Sequence, residues 1–262
     1  MTTSTSTSTR TSTTTAIRRT TGLARANALL MLRNNLTMTY ALILPLLPMA
    51  LLFTGERGDV EIGMAAVGTA LMMALLFSVY YNMLSSMVTR RDELVLKRLR
   101  TGETRDSELL LSMALPGVTV TVAVSVLLIG LGAAFGLPLP LNPLLFAITI
   151  IVACATFASL AIWTAAWTRN SEAAQMTSGP IILLTIVGSQ QFPDSWSRFV
   201  DLTPGAALDQ LVRLTWFGRD SDATVDLSAT WVASGGPMLV LALWTGIGFW
   251  LAHRSMRWEP RV

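Results

Sequence analysis

The sequence predicts an all-α integral membrane protein of six transmembrane helices. Composition gives the class: of 262 residues, 52% are hydrophobic and 13% charged, and the mean hydropathy is +0.55. That is about half the charge of an ordinary soluble chain. Pattern gives the number. A membrane-crossing helix needs about 20 apolar residues, and a charge at its centre costs about 3 kcal/mol even on a lenient scale. Five intervals run free of charge, beginning at Asn34, Ile62, Leu109, Ala173 and Leu227. The third is too long for one helix and is broken by GLPLPLNP (136–143), through which a helix does not pass, so it folds as a hairpin of two spans. The spans are placed at about 34–55, 62–88, 109–135, 144–168, 173–192 and 228–252.

The chain opens with MTTSTSTSTRTSTTT, a Ser/Thr run without aliphatic residues after Met1, and residues 1–15 are expected to be disordered. It has no apolar core of a secretory signal. Residues 16–33 mix Arg18, Arg19, Arg25 and Arg33 with Ile17, Leu23, Leu29, Leu30 and Leu32, which suits a basic amphipathic helix along the membrane surface. The remainder, 16–262, reads as one six-span domain.

Orientation follows from Lys and Arg placement. With the N-terminus in the cytoplasm, the outer side keeps Arg57, Arg198, Arg213 and Arg219, and every other one of the 19 basic residues falls inside. Both termini are therefore expected to be cytoplasmic.

The densest run of charge is Thr89 to Glu108, between the second and third spans. Asp92 and Glu93 stand where a helix N-terminus favours anions, Lys97, Arg98 and Arg100 where a C-terminus favours cations, and Gly102 supplies a stop. Leu94, Val95, Leu96 and Leu99 give this short helix an apolar side. A merely solvated loop needs neither feature. On the opposite side of the membrane, Phe192 to Gly218 mixes Trp196, Phe199, Leu202, Leu208, Leu211 and Trp216 with Asp and Arg, which fits short helices at the outer interface. Pro204 is expected to start the second of them. Prolines with neighbouring glycines, at Pro116–Gly117 and Gly179–Pro180, are expected to kink the third and fifth spans.

Several function classes are set aside by what the sequence lacks. No GxxxxGK[ST] phosphate loop, HExxH or GxSxG occurs, so an enzyme is not expected, and the chain is expected to hold no cofactor or metal of its own. Cys154, the single cysteine, lies in an apolar segment and reads as a small buried hydrophobe. Basic residues are scattered rather than gathered into an aromatic-interleaved patch, which argues against nucleic acid. Ion-coupled transport normally needs charge within the membrane, and the spans carry none away from their ends. They do carry Asn82, Ser85 and Ser86 in the second, Gln175 at the start of the fifth, and Gln190 and Gln191 at its end. These are the candidates to line a path, although for any one of them hydrogen-bonding between helices is the favoured role.

On these residues the chain resembles the permease subunit of a type-2 ABC exporter. RRDELVLKRLRTG (90–102) is similar to that family's coupling element, FPDSWSRFVDLTPGAALDQLVR (192–213) to its outer helices, and the basic lead-in to its interfacial helix. In place of the proline that many relatives carry after the basic helix stands Gly102-Glu103-Thr104. The resemblance implies a bacterial cell-membrane protein that exports a drug, antibiotic or lipid, as a homodimer or with a second permease. It implies that ATP and Mg bind a separate cytosolic ATPase, docked through Arg90, Arg91, Asp92, Glu93, Leu96, Lys97, Arg98, Leu99 and Arg100. The alternative is a non-transporting immunity or signalling protein that uses the same loop to bind a cytosolic factor.

Overall fold

The computed structural model describes residues 6–93, 106–170, 172–188, 194–220 and 223–255. The first helix, α1, runs Ser6–Arg33 and packs along the third long helix. Helix α1 thus takes in part of the Ser/Thr run, from Ser6 onward. Extending a helix already nucleated by the Ala-, Leu- and Arg-containing half costs far less than starting one.

The first expected span is not a regular α-helix. A short α2 (Asn35–Met38) passes into a π-helical turn at Thr39–Ile43 and then a 3₁₀ helix at Leu44–Phe53. Pro45 and Pro48 account for this, since each lacks an N–H and crowds the carbonyl one α-turn back. Next comes α3, Val60–Asp92, continuous for 33 residues but with a π-helical stretch at Leu75–Tyr81. The Asp59 carboxylate caps its start, accepting from Glu61 N at 2.9 Å and Ile62 N at 3.2 Å.

The expected hairpin is present as α4 (Asp106–Ala134) and α5 (Pro143–Trp167). At its turn Gly136 takes φ +87° and lies against Gly58, which takes φ +84°, where a side chain on either would be strained. Arg57 donates from Nη2 to Ala134 O at 2.8 Å and so closes the end of α4. Asn142 caps α5, accepting from Leu145 N at 3.1 Å, with Pro143 in the first turn.

Helix α6 spans Ala173–Val187, α7 Asp194–Val200 and α8 Pro204–Val212, the last continuing as a π turn to Phe217. A two-residue hairpin pairs Arg219 with Thr224. The final interval divides into α9 (Leu227–Ala233) and α10 (Gly235–Ser255), so the segment expected as one helix over 228–252 is two. Gly235-Gly236-Pro237 explains the break, because Pro237 restricts the residue before it and offers no N–H to the preceding turn.

Four of these helices are long and apolar enough to cross a membrane: α3, α4, α5 and α10. Thr39–Phe53 and Ala173–Val187 are shorter apolar helices. At the centre stand α3 and α5, each 72% buried over its most apolar window, against 17% for α10. Small residues allow close approach. Gly248 of α10 leaves no room for a Cβ against Ser159, and Thr156 of α5 meets Thr245 (Oγ1–Oγ1 2.8 Å) and Leu241 O (3.1 Å). Helix α8 is a core element rather than a surface one: Leu208, Leu211 and Val212 are fully buried, whereas Trp196 and Phe199 of α7 are exposed.

Candidate coupling site and adjoining cavity

The foot of α3 carries two successive arginines, and neighbours on a helix point about 100° apart. Their guanidinium groups accordingly hold different parts of the molecule.

Arg90 donates from Nη2 to the Oδ1 of Asn27 on α1. The amide nitrogen of Asn27 in turn donates to Ser112 O on α4 at 2.8 Å. That carbonyl is open to a side chain for a specific reason: Pro116, four residues on, has no N–H to bond it. Within a membrane an orphaned carbonyl must find a donor. Asn27, itself buried, supplies it and so joins α1, α3 and α4 at one side chain.

Arg91 is 4% exposed. It donates from Nη1 to Ala165 O at 2.9 Å, and from Nη2 to Thr168 O and, at 3.3 Å, to Arg169 O. These carbonyls are the unsatisfied end of α5, where a cation is favoured. Thr168 then meets Thr177 of α6, Oγ1 to Oγ1, at 2.7 Å. Arg91, expected on a docking face, is instead an internal anchor.

Asp92 and Glu93 are exposed. Asp92 is the last residue of α3 and Glu93, at φ −78° and ψ 2°, leaves it. Leu96, Lys97, Arg98, Leu99 and Arg100 lie outside the described residues, as do Gln190 and Gln191.

Beside this foot lies a cavity of about 790 Å³. It brings together Asn82, Ser85 and Ser86 of α3 and Gln175 of α6, all four of the described path candidates. Asn82 opens the regular helix just after the π-helical stretch, whose extra residue per turn re-aims the side chains beyond it. Gly117 of α4 fits against the Ser78 carbonyl of that stretch with no room for a Cβ, so the two helices touch backbone to backbone there. The sequence reading missed Asn27, Thr89 and the aromatic wall of Tyr40, Phe77 and Tyr81. Pro116 was the signal that could have found Asn27, since it announces an orphan carbonyl, though not which residue bonds it.

The profile of the ABC-2 type transporter family matches residues 19–194, two thirds of the chain. The chain belongs to that family. As an ABC-2 type transporter it is a multi-pass membrane protein and the permease component of a transporter, a class that works with ATPase subunits and is not itself the catalyst. Both arginine anchors and the cavity fall within the matched region. A search of curated proteins returned no match.

Proposed function

We propose that this ABC-2 permease is the path-forming subunit of an ATP-driven exporter in the bacterial plasma membrane, crossing it six times with both ends in the cytoplasm. It works as a homodimer or with a second permease, and moves a hydrophobic or amphipathic substrate while a cytosolic ATPase binds ATP and Mg. Thr39–Phe53 and Ala173–Val187 are the two further crossings on this reading. The first gains length from its 3₁₀ geometry, which rises about 2.0 Å per residue against 1.5 Å in an α-helix.

The observation that carries the proposal is the double anchorage at the root of the 90–102 element. A docked ATPase that displaces this element pulls on Arg90 and Arg91 together. Through Asn27 the first moves α1 and α4; through the end of α5 and Thr168–Thr177 the second moves α6. The cavity lies between these two arms, so its shape depends on the state of the foot. Differential contacts of the ATPase in its open and closed states supply the free energy that selects between cavity shapes.

The test is co-expression of the tagged chain with a candidate ABC ATPase. Leu96→Ala, Leu99→Ala and Arg98→Glu are expected to reduce ATPase co-purification and export while leaving the melting temperature of the permease unchanged. Normal co-purification and export in all three overturns the assignment of 90–102 as the docking element.

A further inference from the structure

The cavity at the foot of α3 has a chemistry that narrows what it takes. The geometry points to an amphiphile with an uncharged, hydroxyl-rich headgroup, such as a glycoside, seated between the Asn82 and Gln175 amides with its tail directed past Leu30 and Tyr40. This inference rests on the proposed transport reading and names the substrate class of the same site.

Three features carry it. The polar groups on the wall are dominated by amides and hydroxyls: Asn82, Gln175, Ser85, Ser86 and Thr89. Each amide offers both donors and acceptors, which matches hydroxyl groups that do both and mismatches an ammonium, which accepts nothing, or a sulfate, which donates nothing.

Among the described residues the ionic ones on the wall are Arg90 and Glu93, which have opposite sign and leave no net charge. Arg90 is already engaged by Asn27, and Glu93 is exposed, where water and salt screen it. A charged headgroup entering here loses hydration without gaining a dedicated counter-ion among the described residues.

The third feature is the aromatic wall. Tyr40 and Phe77 stack with centroids 6.3 Å apart, and Tyr81 lies on the same lining. Ring faces carry the negative part of the aromatic quadrupole and attract the polarised C–H face of a sugar ring. Leu30 and Tyr40 are 60% and 44% exposed, which gives an apolar rim on the side where α1 ends and the π-helical turn begins.

The test uses the full chain in lipid nanodiscs carrying Ser86→Cys, with the buried Cys154 as a silent background. Maleimide labelling at position 86 is tracked against three probes with the same twelve-carbon tail: dodecyl maltoside, dodecyl sulfate and dodecyltrimethylammonium, each below its micellar concentration. Val126→Cys, on the exposed face of α4, reports probe partitioning into lipid.

The maltoside is expected to slow labelling at 86 relative to 126 by about twofold at half occupancy and about tenfold at nine-tenths occupancy, by mass action. The sulfate is expected to leave that ratio unchanged, and the trimethylammonium, which the ring faces also attract, to change it less than the maltoside does. Asn82→Leu and Gln175→Leu, each in the Ser86→Cys background, are expected to remove the protection; Gln175 is exposed, so its replacement does not threaten folding.

Equal or greater protection by either ionic probe overturns the headgroup class while leaving the cavity as a ligand site. Protection by the maltoside that survives both leucine variants overturns recognition by the amides. If no probe changes the ratio, the cavity is not a substrate site, and the path assignment in the transport reading falls with it.

Discussion

The Asn27 amide oxygen accepts from Arg90 and its nitrogen donates to Ser112 O and, at 3.4 Å, to Ser112 Oγ, so its contribution can be taken apart. Asn27→Leu leaves the Ser112 carbonyl without its donor and Arg90 without its amide acceptor, and is expected to lower stability by about 1–3 kcal/mol, read as a drop in melting temperature in detergent. Pro116→Ala restores the missing N–H to the helix. In that background the cost of Asn27→Leu is expected to shrink by about 1 kcal/mol, and strictly additive effects in the double variant would show that the freed carbonyl is not what Asn27 serves. Arg91→Lys keeps the charge but loses the planar fork that reaches three carbonyls at the end of α5. It is expected to melt earlier than the wild type, and an unchanged melting curve would show that charge alone holds this corner. Sequence patterning singled out Arg90 and Arg91 as a docking pair, and the fold gives each an intramolecular partner as well. A run of charge is legible by its letters, but which member turns inward depends on the neighbouring helix ends, and those are set by tertiary packing.

Among the elements, the contact between α6 and α8 rests on absent side chains. A Cβ on Gly205 collides with the backbone carbonyl of Thr185, and one on Gly188 with the backbone of Ala206, whereas Gly179 has open space around it. Gly205→Ala is therefore expected to destabilise by about 1–3 kcal/mol through overpacking. Gly179→Ala is expected to be neutral or to stabilise by up to about 1 kcal/mol, since alanine favours a helix more than glycine does. Melting temperatures of the two variants decide this, and equal effects would refute it. The cap of α9 gives a dependence on pH. Asp226 accepts from Ala229 N at 2.9 Å and Ser228 Oγ at 3.1 Å, and the first of these chiefly holds its carboxyl below the ordinary aspartate range. Because the charged form is the one the fold favours, the cap is at full strength above the ordinary aspartate pKa and is lost as pH falls through the depressed value. Hydrogen exchange at Ala229 is expected to show protection that fades with acid in the wild type and not in Asp226→Asn, which caps without titrating. Long elements were readable because apolar runs and GLPLPLNP are strong signals. Short ones were not. The 3₁₀ segment, the separation of α9 from α10 and the burial of α8 arise from individual prolines and glycines acting against their neighbours, and apolar run length is blind to such effects.

For the molecule as a whole, the basic residues that flank the helices predict its sidedness. Cysteines introduced at exposed Glu93 and Asp220 are expected to respond oppositely to a membrane-impermeant maleimide, position 220 labelling in intact cells and position 93 only after permeabilisation. Labelling of both from outside would refute six crossings with cytoplasmic ends. The arrangement also explains why polar residues picked from the sequence meet on one cavity wall. Polar residues in an otherwise apolar helix are few, and Asn82, Ser85 and Ser86 recur at helical spacing, so they share a face whatever that face meets. What they meet, an aromatic wall and an amide from α6, required the fold. One consequence reaches beyond this chain. The carbonyl released by Pro116 makes a debt that another helix settles, so in descendants of the same ancestor the proline and a donor at the position of Asn27 are expected to be inherited together, and lineages that lose the proline should be free to place alanine or leucine there. Pairwise substitution records across the family would reveal that dependence as a correlated pair far apart in sequence, without a single protein being purified.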